Sequence, residues 1–377
     1  MNIYAIVALS ICTQIAIKGS KMLVALHALE LHAGPFAIGL LVAMYSLFPM
    51  QLALFAGRVC DRRGVRLPMI AGSIGIALGL IVPVAVPHLA ALYVSAMIIG
   101  CAQIFYQIST QYTVGADAQR TRRTRNFALY SLAGSVSGFF GPLIVGYGME
   151  GTGKLPTYAM LAAIAVVPAI VLTVSRRREL PRHAHTDGDA PQTRGLLQNP
   201  GLRQAYVASA VVLTGIDLFN FYMPIYGRSL GLTPSSIGIV LSMQAAAAFV
   251  VRLWLPRVVD RIGEQPVLRW ALLVAALAYL LFPMTHELVA LAAVSFLMGL
   301  ALGCGQPLSM QLTQRFAPRG RVGEAIGLRI TFNRLTQIAV PIVFGSLGSF
   351  GVFAVFWANS ALLMSGSFVA ARIAPTP

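Results

Sequence analysis

The chain has 377 residues, of which 57% are hydrophobic and only 11% are charged, and its formal net charge is +16. Because a soluble domain is typically ~45–50% apolar and ~25% charged, this composition excludes a soluble fold, a disordered chain and a small disulfide scaffold. The apolar runs are continuous and do not alternate, which argues against a β-barrel. At ~20 residues per span the length fits about 12 helices, so the composition predicts an all-α membrane protein.

Twelve apolar segments follow one another along the chain, and each is predicted to be a transmembrane helix. The first six lie at 3–28, 36–56, 68–87, 89–111, 127–148 and 156–175. The last six lie at 203–227, 235–255, 267–284, 287–312, 322–347 and 351–371. We therefore expect an N-terminal six-helix bundle at 1–175, a central cytoplasmic loop at 176–202 and a C-terminal six-helix bundle at 203–377.

The arginines are concentrated in alternate loops, after predicted spans 2, 4, 8 and 10 and in the central stretch. The opposite loops carry little positive charge beyond Lys154 and Arg228. By the positive-inside rule, both termini are expected in the cytoplasm and the chain in the cell (inner) membrane as a multi-pass protein. The net positive charge is thus mostly a topology signal, and no separate basic domain exists that would bind nucleic acid.

Three segments of the first half recur in the second half at an offset of 199 residues. Residues 34–39 (GPFAIG) recur as 233–238 (TPSSIG), 61–64 (DRRG) as 260–263 (DRIG), and 142–146 (PLIVG) as 341–345 (PIVFG). Self-similarity on this scale predicts two parallel halves of six spans, related by an axis along the membrane normal.

The segment 57–66 (GRVCDRRGVR) resembles the signature G-x-x-x-D-R-x-G-R-(R/K) of the major facilitator superfamily, with one extra residue before its last basic position. The second half carries a partial copy at 256–263 (PRVVDRIG). Residues 134–142 (GSVSGFFGP) resemble the Gly-Pro motif of the family's antiporters. The resemblance covers essentially the whole chain. It implies a twelve-helix facilitator fold in two pseudo-symmetric halves, and secondary transport by a rocker-switch, alternating-access mechanism.

The same resemblance implies two sets of moving parts. In the family, the signature acts as a latch that holds the halves closed on the cytoplasmic side, whereas the plainer interpretation is an ordinary basic loop. The latch residues are Gly57, Asp61, Arg62, Gly64, Arg66, Asp260, Arg261 and Gly263. A hinge in span 5 is expected at Gly138, Gly141 and Pro142.

Five charged residues stand out inside predicted spans: Lys18, Lys21, Asp217, Arg329 and Arg334. Ionisable groups in a bilayer are costly, so each is a functional candidate by default. Four cations against one acid predict a positive cavity, and a guanidinium matches a carboxylate or phosphate, so the solute is expected to be anionic. Two alternatives stay open: pairing of one cation with Asp217, and snorkelling of Lys21 or Arg329 towards the interface.

Polar side chains extend the same predicted cavity. A glutamine stripe facing lipid would lack hydrogen-bond partners, whereas one facing a cavity would bind solute. The alternative is hydrogen bonding between helices. The predicted solute-binding set is completed by Gln14, Gln103, Gln107, Asn220, Tyr222 and Gln306.

These features predict a proton-coupled secondary transporter of a small organic solute, with Asp217 as the proton-coupling group. The Gly-Pro motif favours efflux; the positive cavity and the absence of arginine from span 4 favour uptake of an organic anion by proton symport. A non-transporting membrane sensor on the same fold is a further alternative. No P-loop or enzyme constellation occurs, so we expect no enzyme activity, cofactor or metal. The expected partners are the solute, protons and the lipid bilayer, and the expected state is a monomer.

Overall fold

The computed structural model describes residues 3–86, 88–115, 120–175, 193–318 and 321–372. Within these residues the chain is almost entirely helical and contains no β-strand. The helices are α1 (Ile3–Glu30), α2 (Pro35–Arg63), α3 (Arg66–Ala85), α4 (Leu89–Gly115), α5 (Arg120–Gly151), α6 (Lys154–Val174), α7 (Thr193–Gln198), α8 (Pro200–Ser229), α9 (Pro234–Ile262), α10 (Glu264–Leu281), α11 (Leu288–Phe316), α12 (Val322–Leu347) and α13 (Val352–Ala371).

The twelve predicted spans correspond to α1–α6 and α8–α13, and the short α7 lies in the predicted central loop. Eleven of these described helices are long and apolar enough to cross a membrane. The twelfth, α12, has 26 residues and carries Glu324, Arg329 and Arg334. These three charged residues lower the mean hydropathy of an otherwise apolar helix. Most of the residue 176–202 stretch lies outside the described part of the chain.

The internal repeat reappears in the helix bounds and in the turns. α2 and α9 begin 199 residues apart and end 199 residues apart. Two turn positions repeat at the same offset: His32 and Gly231 have φ of 58° and 75°, and Gly64 and Gly263 have φ of 74° and 85°. Positive φ suits glycine because it has no Cβ. The two halves therefore share turn geometry as well as sequence.

The residues divide into two compact units. The first contains Met1–Thr186 with Gly227–Ser242, and the second contains Asp187–Tyr226 with Met243–Pro377. In the first unit, α3 packs against α4 and α6, and α1 packs against α5 and α6. In the second unit, α10 packs against α11 and α13. The α3 and α10 contacts are equivalent in the repeat, since α10, α11 and α13 correspond to α3, α4 and α6.

Small residues let helices approach closely, as is common between membrane helices. A Cβ on Gly72 of α3 would lie 2.7 Å from the carbonyl oxygen of Ala102 on α4. In the second unit, a Cβ on Gly299 of α11 would lie 2.2 Å from the carbonyl oxygen of Gln244 on α9. Gly299 therefore lies in close contact with α9.

Prolines interrupt eight of the described helices, at Pro49, Pro83, Pro142, Pro168, Pro224, Pro256, Pro307 and Pro341. Proline has no N–H, so the carbonyl four residues earlier loses its helical partner. In membrane helices, neighbouring side chains often satisfy such carbonyls. Ser95 Oγ donates to the Gly79 carbonyl at 2.6 Å, and Arg252 Nε donates to the Gly303 carbonyl at 3.2 Å. These carbonyls precede Pro83 and Pro307 by four residues.

Candidate functional site

Arg329 forms a buried cluster between α11 and α12 in the second unit. Its side chain is 7% exposed. The Nη2 group donates to Gln306 Oε1 at 2.7 Å, to Ser309 Oγ at 2.9 Å and to the Gln306 carbonyl oxygen at 3.1 Å. The predicted residues Gln306 and Arg329 are therefore in contact. Arg329 does not snorkel to an exposed position, because its guanidinium is enclosed by α11.

The oxygens that surround Arg329 are uncharged. Ion pairs among the described residues include Glu30–Lys154, Glu264–Arg315 and Glu324–Arg321, and none of these three involves Arg329. The Nε group of Arg329 is buried and has no hydrogen-bond partner in this part of the chain. The cluster thus holds a positive charge with an N–H group that can donate to a further acceptor.

Gln306 also joins α11 to α8. Its Nε2 donates to the carbonyl oxygen of Ser209 at 3.2 Å, and Ser209 Oγ donates to Asn333 Oδ1 on α12 at 2.9 Å. Three helices therefore fix the orientation of the Gln306 amide, and its Oε1 is directed at Arg329.

The other predicted residues of the second unit occupy different surroundings. Asp217 is half-buried on α8. Asn220 is exposed, and its Nδ2 donates to the Ile216 carbonyl at 2.7 Å. Arg334 Nη1 donates to Gln337 Oε1 at 3.0 Å. Because Arg329 and Arg334 are five residues apart, they point to different sides of α12.

Tyr222 lies in an aromatic core. Its ring is 1% exposed, and its centroid is 5.9 Å from that of Phe221 and 5.7 Å from that of Phe356. This packing leaves no surface of the ring open to a solute. We therefore correct the expectation at this position, and Tyr222 is left out of the proposed site.

In the first unit, both predicted lysines of α1 contact uncharged groups. Lys18 Nζ donates to the carbonyl oxygen of Gly134 on α5. Lys21 Nζ lies 5.7 Å from the ring centroid of Tyr45 on α2, within the range of a cation–π interaction. Lys18 thus joins α1 to α5.

The three predicted glutamines of the first unit come together in one pocket of about 60 Å³. Its lining carries no charged side chain, although Gln14 Nε2 and Tyr106 Oη are buried without hydrogen-bond partners. A cavity of this size holds about two water molecules or one small polar group. The lining residues are Ser10, Thr13, Gln14, Ile17, Gln103, Tyr106, Gln107 and Tyr130.

The signature segment is mostly helix, which corrects the expectation of a loop from Gly57 onward. α2 continues through Arg63, and the turn occurs at Gly64; likewise α9 continues through Ile262 and the turn occurs at Gly263. Both helices continue beyond their apolar residues because basic side chains do not break a helix.

The remaining latch residues differ in their surroundings. The side chain of Asp61 lies outside the described part of the structure. Arg66 donates to the carbonyl oxygens of Leu172, Thr173 and Ser175 at the end of α6, where a cation is favoured by the helix dipole. Arg62, Asp260 and Arg261 are exposed.

The predicted hinge residues lie within α5, where α1 and the start of α9 approach it. A Cβ on Gly141 would lie 3.1 Å from the backbone nitrogen of Gly19. The Pro142 carbonyl oxygen would lie 2.6 Å from a Cβ on Gly238. Gly138 is half-buried one turn earlier. Close backbone contacts therefore surround the Pro142 position.

Comparison with known proteins decides the family. The model described as Major Facilitator Superfamily matches residues 6–209 and 205–377, and thus both halves. The chain belongs to the major facilitator superfamily. It is therefore a multi-pass membrane transporter of small molecules and not an enzyme, and the predicted twelve-helix, two-half fold is confirmed.

Relatives of this facilitator include named exporters. It is 22% identical over 328 residues to "Multidrug resistance protein 2" of Bacillus subtilis, which covers 84% of this chain and 81% of that protein. It is 23% identical over 337 residues to "Multidrug resistance protein MdtG" of Citrobacter koseri, covering 86% and 82%. A "Staphylopine export protein" of Staphylococcus aureus is 25% identical over 158 residues, covering 40% of this chain and 37% of that protein.

Solved structures support the facilitator fold. The nucleoside transporter NupG matches with a TM-score of 0.80 at 14% identity, covering 99% of this chain and 100% of that one. A POT family transporter in complex with 5-aminolevulinic acid matches with a TM-score of 0.80 at 11% identity, covering 97% and 94%.

Three residues of this facilitator's clusters are missing from the sequence-based set. Arg252 is absent from the five intramembrane charges, although it lies within predicted span 8. Tyr106 lies on α4 between Gln103 and Gln107, so helical spacing places it on their face. Ser309 follows Gln306 by three residues, and the same spacing would have indicated it.

Proposed function

We propose that this facilitator is a proton-coupled exporter of small organic anions. The observation that supports the anionic preference is Arg329, a buried guanidinium whose described partners are all uncharged. A buried charge without a counter-charge is destabilising, and intramembrane charges are retained mainly for function. A carboxylate of the solute would supply the missing negative charge and accept from the buried Nε group.

The pocket of the first unit is a candidate site of its own. Within the described residues, its uncharged lining and two buried polar atoms without hydrogen-bond partners, Gln14 Nε2 and Tyr106 Oη, favour a neutral polar group that accepts hydrogen bonds. We propose the same binding set as above without Tyr222 and with Tyr106 and Ser309 added.

Export is proposed because relatives over most of the chain are named multidrug resistance proteins, and a shorter match is named an export protein. Asp217 is proposed to couple flux to protons, since it is the one acidic residue near the centre of a predicted span. We further propose a monomer in the inner membrane with both termini in the cytoplasm, as the alternation of arginine-rich loops indicates.

The test uses three isosteric probes, benzoate, benzamide and benzamidine, which are anionic, neutral and cationic. Thermal stabilisation of the purified chain is measured first, and flux in proteoliposomes under an imposed pH gradient second. We expect benzoate alone to stabilise the wild-type chain and Arg329→Met to lose this effect. Arg321→Gln, which removes an arginine paired with Glu324 on the same helix, is the control and should retain it.

Each alternative function has its own outcome. Stabilisation by benzamide or benzamidine but not benzoate contradicts the anionic preference, as does stabilisation by none of the three. Benzoate accumulation on the alkaline side of the bilayer in excess of that in protein-free liposomes, which benzoic acid crosses unaided, with co-movement of protons, identifies symport. Binding without flux in either direction identifies a sensor.

A further inference from the structure

We propose that Arg252 is a positioning residue that replaces the hydrogen bond removed by Pro307 and thereby orients Gln306. Arg252 lies on α9 inside the second unit, and none of the predicted solute-binding, latch or hinge residues includes it. The proposal has a structural half, which is independent of the solute, and a functional half, which rests on the proposed anion site at Arg329.

The first step is the unpaired carbonyl that a proline creates. In an α-helix the N–H of each residue donates to the carbonyl four residues earlier, and Pro307 has no N–H. The carbonyl left without that partner is Gly303, and it is the one that accepts from Arg252 Nε at 3.2 Å. Arg252 thus supplies, from a neighbouring helix, the donor that α11 lacks.

The second step is the close approach of α9 that makes this bond possible. A Cβ on Gly303 would lie 2.7 Å from the Cα of Ala248. Arg252 follows Ala248 by one turn of α9, on the same face. Gly303 therefore allows α9 to approach α11 closely, and Arg252, one turn after Ala248, reaches the Gly303 carbonyl.

The third step connects this bond to the site. Gln306 directly precedes Pro307, and its side chain accepts from Arg329 at 2.7 Å while donating to the Ser209 carbonyl at 3.2 Å. The direction of its side chain depends on the local path of the backbone between Gly303 and Pro307. A hydrogen bond that fixes the backbone between Gly303 and Pro307 therefore also keeps the Gln306 side chain in contact with Arg329.

The first unit contains a matched case without a charge. Pro83 of α3 leaves the Gly79 carbonyl without a helical partner, and Ser95 Oγ of α4 donates to it at 2.6 Å. The Ser95 bond joins α4 to α3 and does not involve α11. Ser95→Ala therefore shows the effect of losing such a bond without any change in the orientation of Gln306.

The decisive experiment is a double-mutant cycle in the full-length chain: Arg252→Leu, Pro307→Ala and the double variant. Pro307→Ala restores an N–H that can donate to Gly303. Hydrogen exchange is measured on α11 peptides spanning residues 303–312. We expect Arg252→Leu to speed exchange there at least tenfold, and the double variant to return it to near the wild-type rate. Ser95→Ala should speed exchange in α3 and leave residues 303–312 unchanged.

Equal exchange in the double variant and in Arg252→Leu would overturn the proposal, as would wild-type exchange in Arg252→Leu. If Arg252→Leu does not fold, Arg252→Met, which is closer to arginine in length and likewise has no N–H donor in its side chain, takes its place in the cycle. If Pro307→Ala folds but the double variant does not, Pro307→Ala has not rescued the loss of Arg252, and the proposal is contradicted.

The functional half is read from benzoate affinity in the same variants. We expect Arg252→Leu to weaken binding at least fivefold, the double variant to recover most of it, and Ser95→Ala to bind as the wild type does. Normal binding in Arg252→Leu would overturn the link to Gln306. If benzoate does not bind the wild-type chain, the anion proposal fails, while the exchange cycle still decides the role of Arg252.

Discussion

Arg329 and Gln306 are joined through two different atoms of the glutamine: Nη2 lies 2.7 Å from Oε1 and 3.1 Å from the backbone oxygen. The same kind of contact recurs at two other intramembrane cations. Lys18 donates to the Gly134 carbonyl, and Arg252 donates to the Gly303 carbonyl. In all three contacts an uncharged carbonyl or amide oxygen accepts from the cation and fixes the direction of its side chain.

Arg329→Met is expected to abolish benzoate-dependent stabilisation while leaving the unfolding temperature of the unliganded chain unchanged or higher. A buried charge is costly to desolvate, and removal of this cost is expected to offset the loss of the hydrogen bonds that Arg329 donates to Gln306 and Ser309. Thermal unfolding with and without benzoate measures both effects. A lower unfolding temperature together with normal benzoate binding would indicate that Arg329 is purely structural.

Asp217→Asn is expected to abolish the dependence of benzoate flux on the pH gradient while preserving benzoate binding. Asparagine keeps the size and hydrogen-bonding capacity of the side chain but cannot release or take up a proton. Glu30→Gln is the matched control, because Glu30 pairs with Lys154 at a partly exposed position where ion pairs contribute little. Full pH-gradient dependence in Asp217→Asn would remove Asp217 from the coupling step.

The twelve helices are predictable because bilayer thickness sets the length of each apolar run. Their ends are less predictable: α2 continues to Arg63 since a helix outlasts its apolar stretch when no breaker intervenes. The burial of Gln306 and Arg329 away from lipid follows from the cost of polar groups there, whereas the sequence does not predict their contact with each other. The burial of Tyr222 does not follow from sequence, because a tyrosine suits an aromatic core as well as a cavity.

Spacing along one helix also cannot name a partner on another. Lys18 is identifiable as an intramembrane cation, but its partner is a glycine carbonyl, which carries no side-chain signal. The partnership of Arg252 with Gly303 is different, because Pro307 marks the carbonyl that needs a donor. Proline positions in predicted spans thus indicate where an unexplained polar residue of a neighbouring helix is to be sought.

Tyr106→Phe is expected to lose less stability than Tyr279→Phe, because within the described residues the Tyr106 hydroxyl is buried without a close hydrogen-bond partner. Tyr279→Phe is the contrast: this tyrosine is fully buried, but its hydroxyl donates to the Gly215 carbonyl. The Tyr279→Phe variant should therefore be less stable than the wild type. Thermal unfolding of the two variants measures this difference. Equal destabilisation would show that the Tyr106 hydroxyl also has a hydrogen-bond partner.

Gly299→Ala and Gly327→Ala are expected to change stability in opposite directions, although both replace glycine within a helix of the second unit. A Cβ on Gly299 would lie 2.2 Å from the Gln244 carbonyl oxygen and 2.7 Å from the Ala247 Cβ. Neither atom can move without shifting α9, so we expect destabilisation by about 1–3 kcal/mol. A Cβ on Gly327 meets nothing within 4 Å, and alanine at an open helical site stabilises by about 0.5–1 kcal/mol. Thermal unfolding in detergent should therefore move down for the first variant and up for the second. An unchanged or higher unfolding temperature for Gly299→Ala would contradict the tight α9–α11 contact, which is also the contact that brings Arg252 to Gly303.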